Sequence, residues 1–193
     1  RTDRSGPMPD DHPTMRTLYH EACHQFLYHT ASALSPHSWF DEGTAEYYAG
    51  AVLDSGKVRA IVGLEARDEF VGRAEVQRQL PKLASLLEMT QEEYYADADI
   101  NYTMGYAFVR FLHTSREAKG RRRWSSLPKR YFESLRGTWR REAEQLALTG
   151  ITAPRYGAAI ERSREAALRD ALVGVDVAEL ERAFLGWLRR GDG

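Results

Sequence analysis

Residues 15–27 read Met-Arg-Thr-Leu-Tyr-His-Glu-Ala-Cys-His-Gln-Phe-Leu, and their apolar members recur at intervals of three and four. This spacing predicts an α-helix with one buried side. On a helix, His20 and His24 lie one turn apart and project from the same face. Two imidazoles so placed can bind one metal ion, and zinc suits them because it accepts neutral imidazole nitrogen at about 2.0–2.1 Å. Glu21 lies beside the pair, where its carboxylate can reach a metal-activated water. A helix that merely carries two surface histidines gives the same pattern.

A second stretch follows closely and supplies a third possible ligand. Residues 39–47 read Trp-Phe-Asp-Glu-Gly-Thr-Ala-Glu-Tyr, and 17 residues separate His24 from Glu42. A catalytic zinc site needs three protein ligands and an open fourth position. A Glu early on a second helix that packs across the first can be the third ligand. Gly43 and Ala45 would let the two helices approach closely.

The neighbours of Glu42 are candidates for supporting roles. Trp39 and Phe40 are expected to wall the site and to anchor the second helix. Metal-bound histidines commonly donate their second N–H to a carboxylate. Glu46, one turn after Glu42, is a candidate for that role, and Asp41 is a second one. A solvated charge on the helix surface is the alternative for Glu46.

Together these two stretches resemble the gluzincins, the zinc metallopeptidases with two His ligands on one helix and a Glu ligand on the next. The resemblance is carried by His20, Glu21 and His24, and by the Trp-x-x-Glu-Gly phrase that contains Glu42. Thermolysin and the zinc aminopeptidases belong to this clan. Within it, the chain is most similar to the bacterial peptidase-MA-like branch, which shares that phrase and a later Tyr-x-x-Gly-x-Ala helix, here residues 102–107.

The resemblance implies a zinc metallopeptidase that binds one Zn²⁺ per chain and acts on a peptide or protein substrate. His20, His24 and Glu42 would be the metal ligands. Glu21 would be the general base, taking a proton as the metal-activated water attacks a carbonyl and passing it to the leaving amine.

An electrophile for the oxyanion is also implied. The family's Tyr-x-x-Gly aligns with Tyr102, whose phenol can donate a hydrogen bond to developing negative charge. Tyr106 competes for this role, but it lies on the apolar face of the same helix and is expected in the core.

Composition excludes several other classes of protein. The 193 residues are 42% hydrophobic, which suffices for a core, and the net charge of −1 provides no general attraction to nucleic acid or an acidic membrane. No segment approaches the roughly 18 apolar residues of a membrane span. Cys23 is the single cysteine, so no intrachain disulfide is possible, and a small core residue is expected there. The basic run 121–123 is expected in a solvated linker.

The domain organisation follows from where the helical patterns begin. Residues 1–13 are polar and Pro-rich and are expected to be a flexible lead-in, with Thr14 as a helix cap. Residues 14–193 are expected to form a single zincin-like helical catalytic domain. The second helix is predicted from residue 38 or 39 to about Leu53, a short strand at 58–62, and a strong helix at 102–115.

The expected fold is therefore mainly α. The resemblance implies a small sheet before the metal helix, but residues 1–19 are too short and too polar to supply one. We expect a zincin-like helical core with little or no β-sheet.

Two other functions stay open at this point. One is a zinc hydrolase of the same fold that acts on a non-peptide amide or ester, and the other is an inactive helical binding or scaffold domain that retains the metal site. The chain starts with Arg1 and carries no signal peptide. We expect residues that precede it to set the compartment, as in a secreted or cell-envelope bacterial protein whose targeting segment has been removed. The sequence leaves the oligomeric state open.

Overall fold

The computed structural model describes residues 12–191, and this part of the chain is mainly helical, as predicted. Most helices connect through short turns, and one β-hairpin interrupts the series. In chain order the elements are α1 Pro13–Thr30, α2 Ser38–Ala49, β1 Ala51–Asp54, β2 Lys57–Ile61, α3 Glu65–Gly72, α4 Ala74–Gln77, α5 Leu83–Glu88, α6 Gln91–Ala96, α7 Ala98–Thr114, α8 Arg116–Lys119, α9 Arg122–Ser125, α10 Leu127–Thr149, α11 Ala153–Leu172 and α12 Val177–Arg190.

The first helix begins two residues earlier than a cap at Thr14 predicts. Its first residue is Pro13, whose fixed φ suits the start of a helix and whose missing N–H costs nothing there. The cap is His12, because its Nδ1 accepts a hydrogen bond from the backbone N–H of Thr14 at 3.2 Å. The prediction of Thr14 as the cap is therefore wrong. Most of the expected lead-in, residues 1–11, lies outside the described residues.

The second helix ends at Ala49, so its prediction to about Leu53 is wrong. Residues 51–54 are instead strand β1, which pairs antiparallel with β2, and the predicted short strand at 58–62 is confirmed as β2. The hairpin turn explains why residues 51–54 form a strand and not a continuation of the helix. Both of its central residues, Ser55 and Gly56, have positive φ (52° and 75°). That conformation defines the tight turn that matches the twist of paired strands. This hairpin is the only sheet in residues 12–191.

Helix α7 forms the centre of the core, and the predicted strong helix at 102–115 is confirmed. It packs against α2 over most of its length and contacts α3, α6, α10 and α12 as well. Trp39 and Phe40 anchor α2 as expected, because both are buried against Tyr131 and Trp39 also packs against Phe108. They point into this core and do not line the clefts beside the histidines, so they do not wall the site as predicted.

Gly43 brings α2 against α7. A Cβ on Gly43 would lie 2.6 Å from the carbonyl oxygen of Gly105 on α7, closer than real Cβ atoms approach. The prediction that Gly43 lets α1 and α2 approach closely is wrong, because the backbone that comes near Gly43 is that of α7. A small residue in a sequence indicates that another backbone comes near, and it does not say which one.

Replacing Gly43 with Ala is expected to lower the free energy of unfolding by about 1–3 kcal/mol, because the new methyl group forces the α2 and α7 backbones apart. Gly157 provides a matched control, since it lies within α11 and a methyl group added there would have no atom within 4 Å. There Gly→Ala should stabilise by roughly 0.5–1 kcal/mol through helix propensity. Urea unfolding of both variants measures the two effects. A Gly43→Ala protein as stable as wild type would contradict the tight contact.

The basic run at 121–123 is exposed to solvent, as expected, but it is not a linker, because Arg122 and Arg123 begin helix α9. Arg121 lies over the ring of Trp124, with its guanidinium carbon 4.1 Å from the ring centroid, and forms an ion pair with Glu179. Arg123 donates to the carbonyl oxygen of Val173 at the C-terminal end of α11, at 2.6 Å. Cations are favoured at helix C-termini, so this run stabilises helix packing.

Within residues 12–191, every helix is either too short or too polar to cross a bilayer.

Candidate metal centre

Helices α1 and α2 bring the three predicted ligands together. The Nε2 atoms of His20 and His24 are 3.0 Å apart. Oε2 of Glu42, on the first turns of α2, lies 3.5 Å from Nε2 of His20 and 3.4 Å from Nε2 of His24. The helical spacing places both imidazoles on one face of α1, and the packing of α2 across that face supplies the carboxylate.

This donor cluster, defined as the two Nε2 atoms of His20 and His24 and Oε2 of Glu42, has the dimensions of a zinc site. Tetrahedral ligands at about 2.05 Å from zinc are separated by about 3.3 Å, and the three observed separations lie close to that value. Oε2 is buried and has no hydrogen-bond partner among the described residues. A buried polar atom left unpaired costs about 1–3 kcal/mol. A cation between the three atoms would satisfy it.

Tyr95 orients the carboxylate of Glu42. Its hydroxyl donates to Oε1 at 2.6 Å, which leaves Oε2 directed at the imidazoles. Burial alone would raise the pKa of Glu42, but interactions with His20, His24 and Tyr95 outweigh it and hold the pKa well below the usual range. Glu42 is therefore a carboxylate at neutral pH. Sequence reasoning missed Tyr95, because nothing in the spacing of α6 relates it to α2.

Asp41 fixes the orientation of His24. Nδ1–H of His24 donates to Oδ1 of Asp41 at 2.9 Å, and this bond is the main reason that the pKa of His24 is raised to about 10. At a pKa of about 10 the ring carries a proton on both nitrogens at neutral pH, so a metal at Nε2 would have to displace the proton there, while Asp41 keeps the proton on Nδ1. Of the two candidates for this supporting role, Asp41 makes the direct bond.

Glu46 does not fill the supporting role predicted for it, because its partner is Arg67 and not a histidine of the donor cluster. Its Oε1 accepts from Nη2 of Arg67 at 3.0 Å and lies 4.0 Å from Nδ1 of His20, beyond hydrogen-bond distance. The side chain is only 14% exposed, so the prediction of a solvated charge is wrong. Nη1 of Arg67 donates to Thr103 at 3.2 Å, so the guanidinium is fixed from both sides.

Replacing Tyr95 with Phe is expected to weaken zinc binding by about 10- to 100-fold, as for other residues that orient a metal ligand. The substitution removes only the hydroxyl that holds Oε1 of Glu42. Tyr156, on α11 beside Trp139 and far along the chain from the cluster, provides the matched Tyr→Phe control. Competition with a chromophoric chelator measures both affinities. Equal affinities for Tyr95→Phe and wild type would show that Oε1 needs no such restraint.

Glu21 lies on the exposed surface of α1. Successive residues of a helix are turned by about 100°, so Glu21 projects beside the donor cluster and not into it. It makes no hydrogen bond or ion pair within residues 12–191. The carboxylate is therefore available to a substrate or a water beside the cluster.

The two tyrosines of α7 differ in their surroundings. Tyr102 is partly buried next to Tyr95, with ring centroids 5.8 Å apart. Burial and the nearby charge of Glu42 raise the pKa of Tyr102 above its ordinary value, so its hydroxyl remains a hydrogen-bond donor. Tyr106 is buried, and its hydroxyl accepts from the backbone N–H of Leu64 at 2.8 Å. The prediction of Tyr106 as a core residue is confirmed.

Cys23 is a partly buried thiol packed against the core, in agreement with the prediction. Burial, with a smaller contribution from Asp41, raises its pKa to about 12. A thiol that stays protonated at neutral pH is neither a good nucleophile nor a ready metal ligand.

Two open clefts flank the donor cluster. The His20 cleft has a volume of about 550 Å³, and the His24 cleft has a volume of about 270 Å³. The His20 cleft is lined by Arg16, Thr17, His20, Glu46, Ala49, Leu64, Ala66, Arg67, Phe70 and Asp99. The His24 cleft is lined by His24, Gln25, Tyr28, Ser35, Pro36, Asp41, Glu42 and Tyr95.

A scan of protein-family models and searches of curated proteins and of solved structures each found no match to this chain.

Proposed function

We propose that this protein is a zinc-dependent metallopeptidase with a zincin-like helical core. The observation that carries the proposal is the donor cluster, in which a buried carboxylate oxygen without a hydrogen-bond partner faces two imidazole nitrogens. His20, His24 and Glu42 would hold one Zn²⁺. Neutral imidazole and carboxylate are the donors of catalytic zinc sites in hydrolases.

The number of donors favours a catalytic site over a structural one. Structural zinc sites usually have four protein ligands, whereas catalytic sites have three and keep one position open. Within residues 12–191 the cluster contains three His, Cys, Asp or Glu donors. An exposed Glu21 beside the cluster also has a use in catalysis and none in a purely structural site.

The proposal gives each of the protein groups a role. Zinc in this site would lower the pKa of water to about 7 and polarise a substrate carbonyl. Glu21 takes the proton of the attacking water and donates it to the leaving amine. Tyr102 donates a hydrogen bond to the carbonyl oxygen as that oxygen gains negative charge. Asp41 keeps the proton of His24 on Nδ1, and Tyr95 holds Glu42 in place.

Peptide cleavage by chelator-washed protein, before and after addition of one equivalent of zinc, tests this proposal. Mass spectrometry of a broad peptide mixture should show new termini only with the reloaded protein, and a His20→Ala, His24→Ala variant should produce none. Binding of zinc without any peptide product would overturn the peptidase proposal. Activity on ester or non-peptide amide substrates in that case would indicate the related hydrolase.

A further inference from the structure

We propose that this protein binds a long-chain monocarboxylic acid in an apolar groove on a second face of α1, away from the donor cluster. The apolar groove is the depression bounded by Phe26 of α1, Thr44 of α2, Val58 of the β-hairpin and Lys129 of α10. None of the three donor residues lines it. Binding in the groove is therefore independent of the proposed peptide cleavage.

The size and the lining of the apolar groove suit a hydrocarbon chain. Its volume is about 620 Å³, within the range of about 300–1,000 Å³ typical of small-molecule sites with mostly apolar walls. All of its lining residues except Thr44, His113 and Lys129 are apolar or aromatic. The groove extends along α1 from Tyr19 to Leu27, which is about 12 Å at 1.5 Å per residue. An extended chain of about ten carbons spans that length with C–C bonds of about 1.5 Å.

Part of this apolar surface is exposed to water. Phe26 is 64% exposed and Val58 is 54% exposed, and both side chains line the groove. Clusters of exposed apolar side chains mark ligand grooves or interfaces with other molecules. A hydrocarbon chain in the groove would remove this surface from water, which is the main driving force for the binding of apolar groups.

The charge of the groove favours an anionic head group. Among the described residues, Lys129 is the one lining residue that is charged at neutral pH, since burial holds the pKa of His113 below its ordinary value and no Asp or Glu lines the groove. Nζ of Lys129 lies 3.7 Å from Oε1 of Glu133, but both side chains are well exposed, so this ion pair is weak. A carboxylate in the groove can therefore compete for Lys129.

Thr44 provides a second polar group for the ligand. The residue is only 7% exposed, and its Oγ1 is buried without a hydrogen-bond partner among the described residues. An unpaired buried hydroxyl is destabilising. A helical Thr has two accessible χ1 positions, so the hydroxyl and the methyl group can exchange places and the hydroxyl can face the groove. An oxygen of a bound head group would then pair with it.

Helix α10 runs antiparallel to the segment that leads into α2. Nε1 of Trp139 donates to the carbonyl oxygen of Ser32 at 3.0 Å. One end of α10 nearer its start, Phe132 stacks on Phe40 with ring centroids 5.8 Å apart. Residue numbers on α10 therefore fall as those of the facing segment rise.

This arrangement brings the two polar groups to the same part of the groove. Lys129 lies about one turn before Phe132, and Thr44 lies about one turn after Phe40. With the two segments antiparallel, the ammonium group and the hydroxyl belong to the same level of the groove and can bind one carboxylate. A polar corner beside an apolar surface fits a molecule with one small anionic head and an apolar tail.

Titration calorimetry with dodecanoic acid, below the concentration at which it forms micelles, tests the site. We expect saturable binding of one acid per chain, with the same affinity for zinc-loaded and chelator-washed protein. Octanoic acid should bind at least about tenfold more weakly, because it has four fewer methylene groups to bury. Dodecyltrimethylammonium should also bind at least about tenfold more weakly, because its cationic head is repelled by Lys129.

Four results of this titration would overturn the proposal. The first is the absence of saturable binding, and the second is equal affinity for the acid and the cationic amphiphile, which would indicate adsorption through the tail alone. The third is binding that requires zinc, which would place the carboxylate at the donor cluster. The fourth is a dimer, detected by sedimentation, that excludes the acid, because a second copy would then be the occupant of the groove. The third and fourth results would leave the proposed peptidase function standing.

Charge reversal tests the position of the head group. Lys129→Glu should lower the affinity for dodecanoic acid by about tenfold or more, because it replaces attraction by repulsion. Lys82→Glu is the matched control, at an exposed position just before α5 that does not line the groove. Thr44→Val, which removes only the hydroxyl, should lower the affinity by about threefold or more. Unchanged affinity for both Lys129→Glu and Thr44→Val would contradict the assigned head-group site.

A second pair of variants tests the position of the hydrocarbon chain. Val58→Asp places a carboxylate in the apolar wall and should lower the affinity for dodecanoic acid by about tenfold or more. Val62→Asp makes the same change at another exposed valine, just after β2, that does not line the groove. It should leave the affinity unchanged, and zinc affinity should be the same in both variants. Thermal unfolding verifies that both fold, and undiminished binding by folded Val58→Asp would show that the chain lies elsewhere.

Discussion

Replacing Glu21 with Gln is expected to lower kcat for peptide cleavage by about 10²- to 10⁴-fold, the contribution typical of a positioned general base. Zinc content should stay at the wild-type value, because Glu21 is not one of the three donors. The amide keeps the size of the side chain but cannot take a proton from water at neutral pH. Measurement of kcat and bound zinc on the same preparation separates loss of the base from loss of the metal.

The position of Glu21 makes this experiment unusually direct. The side chain is exposed and makes no hydrogen bond or ion pair within the described part of the chain, so the free energy of unfolding should change by less than about 0.5 kcal/mol. Glu88→Gln, at an exposed position that ends α5, is the control for the substitution itself.

Two results for Glu21→Gln would contradict its role. Turnover within about threefold of wild type would mean that another group takes the proton. Loss of zinc together with turnover would mean that Glu21 binds or orients the metal. Turnover that is retained by the variant and also survives chelation would point to a contaminating peptidase. An inactive helical binding or scaffold domain would then be the better account of this chain.

Local patterns in the sequence predicted the parts of the site that depend on helix geometry. The interval of four residues fixes the relation between His20 and His24, because any α-helix brings such residues onto one face. Glu42 could be predicted because it falls at the start of a second helix, at a distance along the chain that lets the two helices cross. The structure places the donor atoms of all three together.

The parts that the sequence did not reveal depend on contacts between distant segments. Tyr95 reaches Glu42 across 53 positions, and Arg67 reaches Glu46 across 21, and neither interval has a signature. The hairpin was partly missed for another reason. Residues 51–54 continue the apolar pattern of α2, and the chain turns at Gly50, whereas the prediction continued the helix to about Leu53. A short apolar run fits a helix and a strand equally well.

Replacing Glu42 with Gln is expected to weaken zinc binding by more than about 100-fold. Four-ligand zinc sites gain about 10–16 kcal/mol on binding, so each ligand contributes roughly 3 kcal/mol, and 1.4 kcal/mol corresponds to a factor of ten. The amide also replaces Oε2 with an NH₂ group, which donates to the imidazole nitrogens that would otherwise bind the metal. Competition titration with a chromophoric chelator measures the loss.

The variant should nevertheless fold, because Gln has the shape of Glu and its carbonyl oxygen can still accept from Tyr95. Glu46→Gln is the matched control, one turn along the same helix and paired with Arg67, and its zinc affinity should fall far less. Zinc at about 100 times its Kd stabilises a protein by about 2.7 kcal/mol, so wild type and Glu46→Gln should unfold at a higher temperature with zinc, and Glu42→Gln should not. Tight zinc binding by Glu42→Gln would show that the buried carboxylate is not a ligand. The convergence of the three donor atoms would then need another explanation, such as a charge pair between Glu42 and a protonated His24.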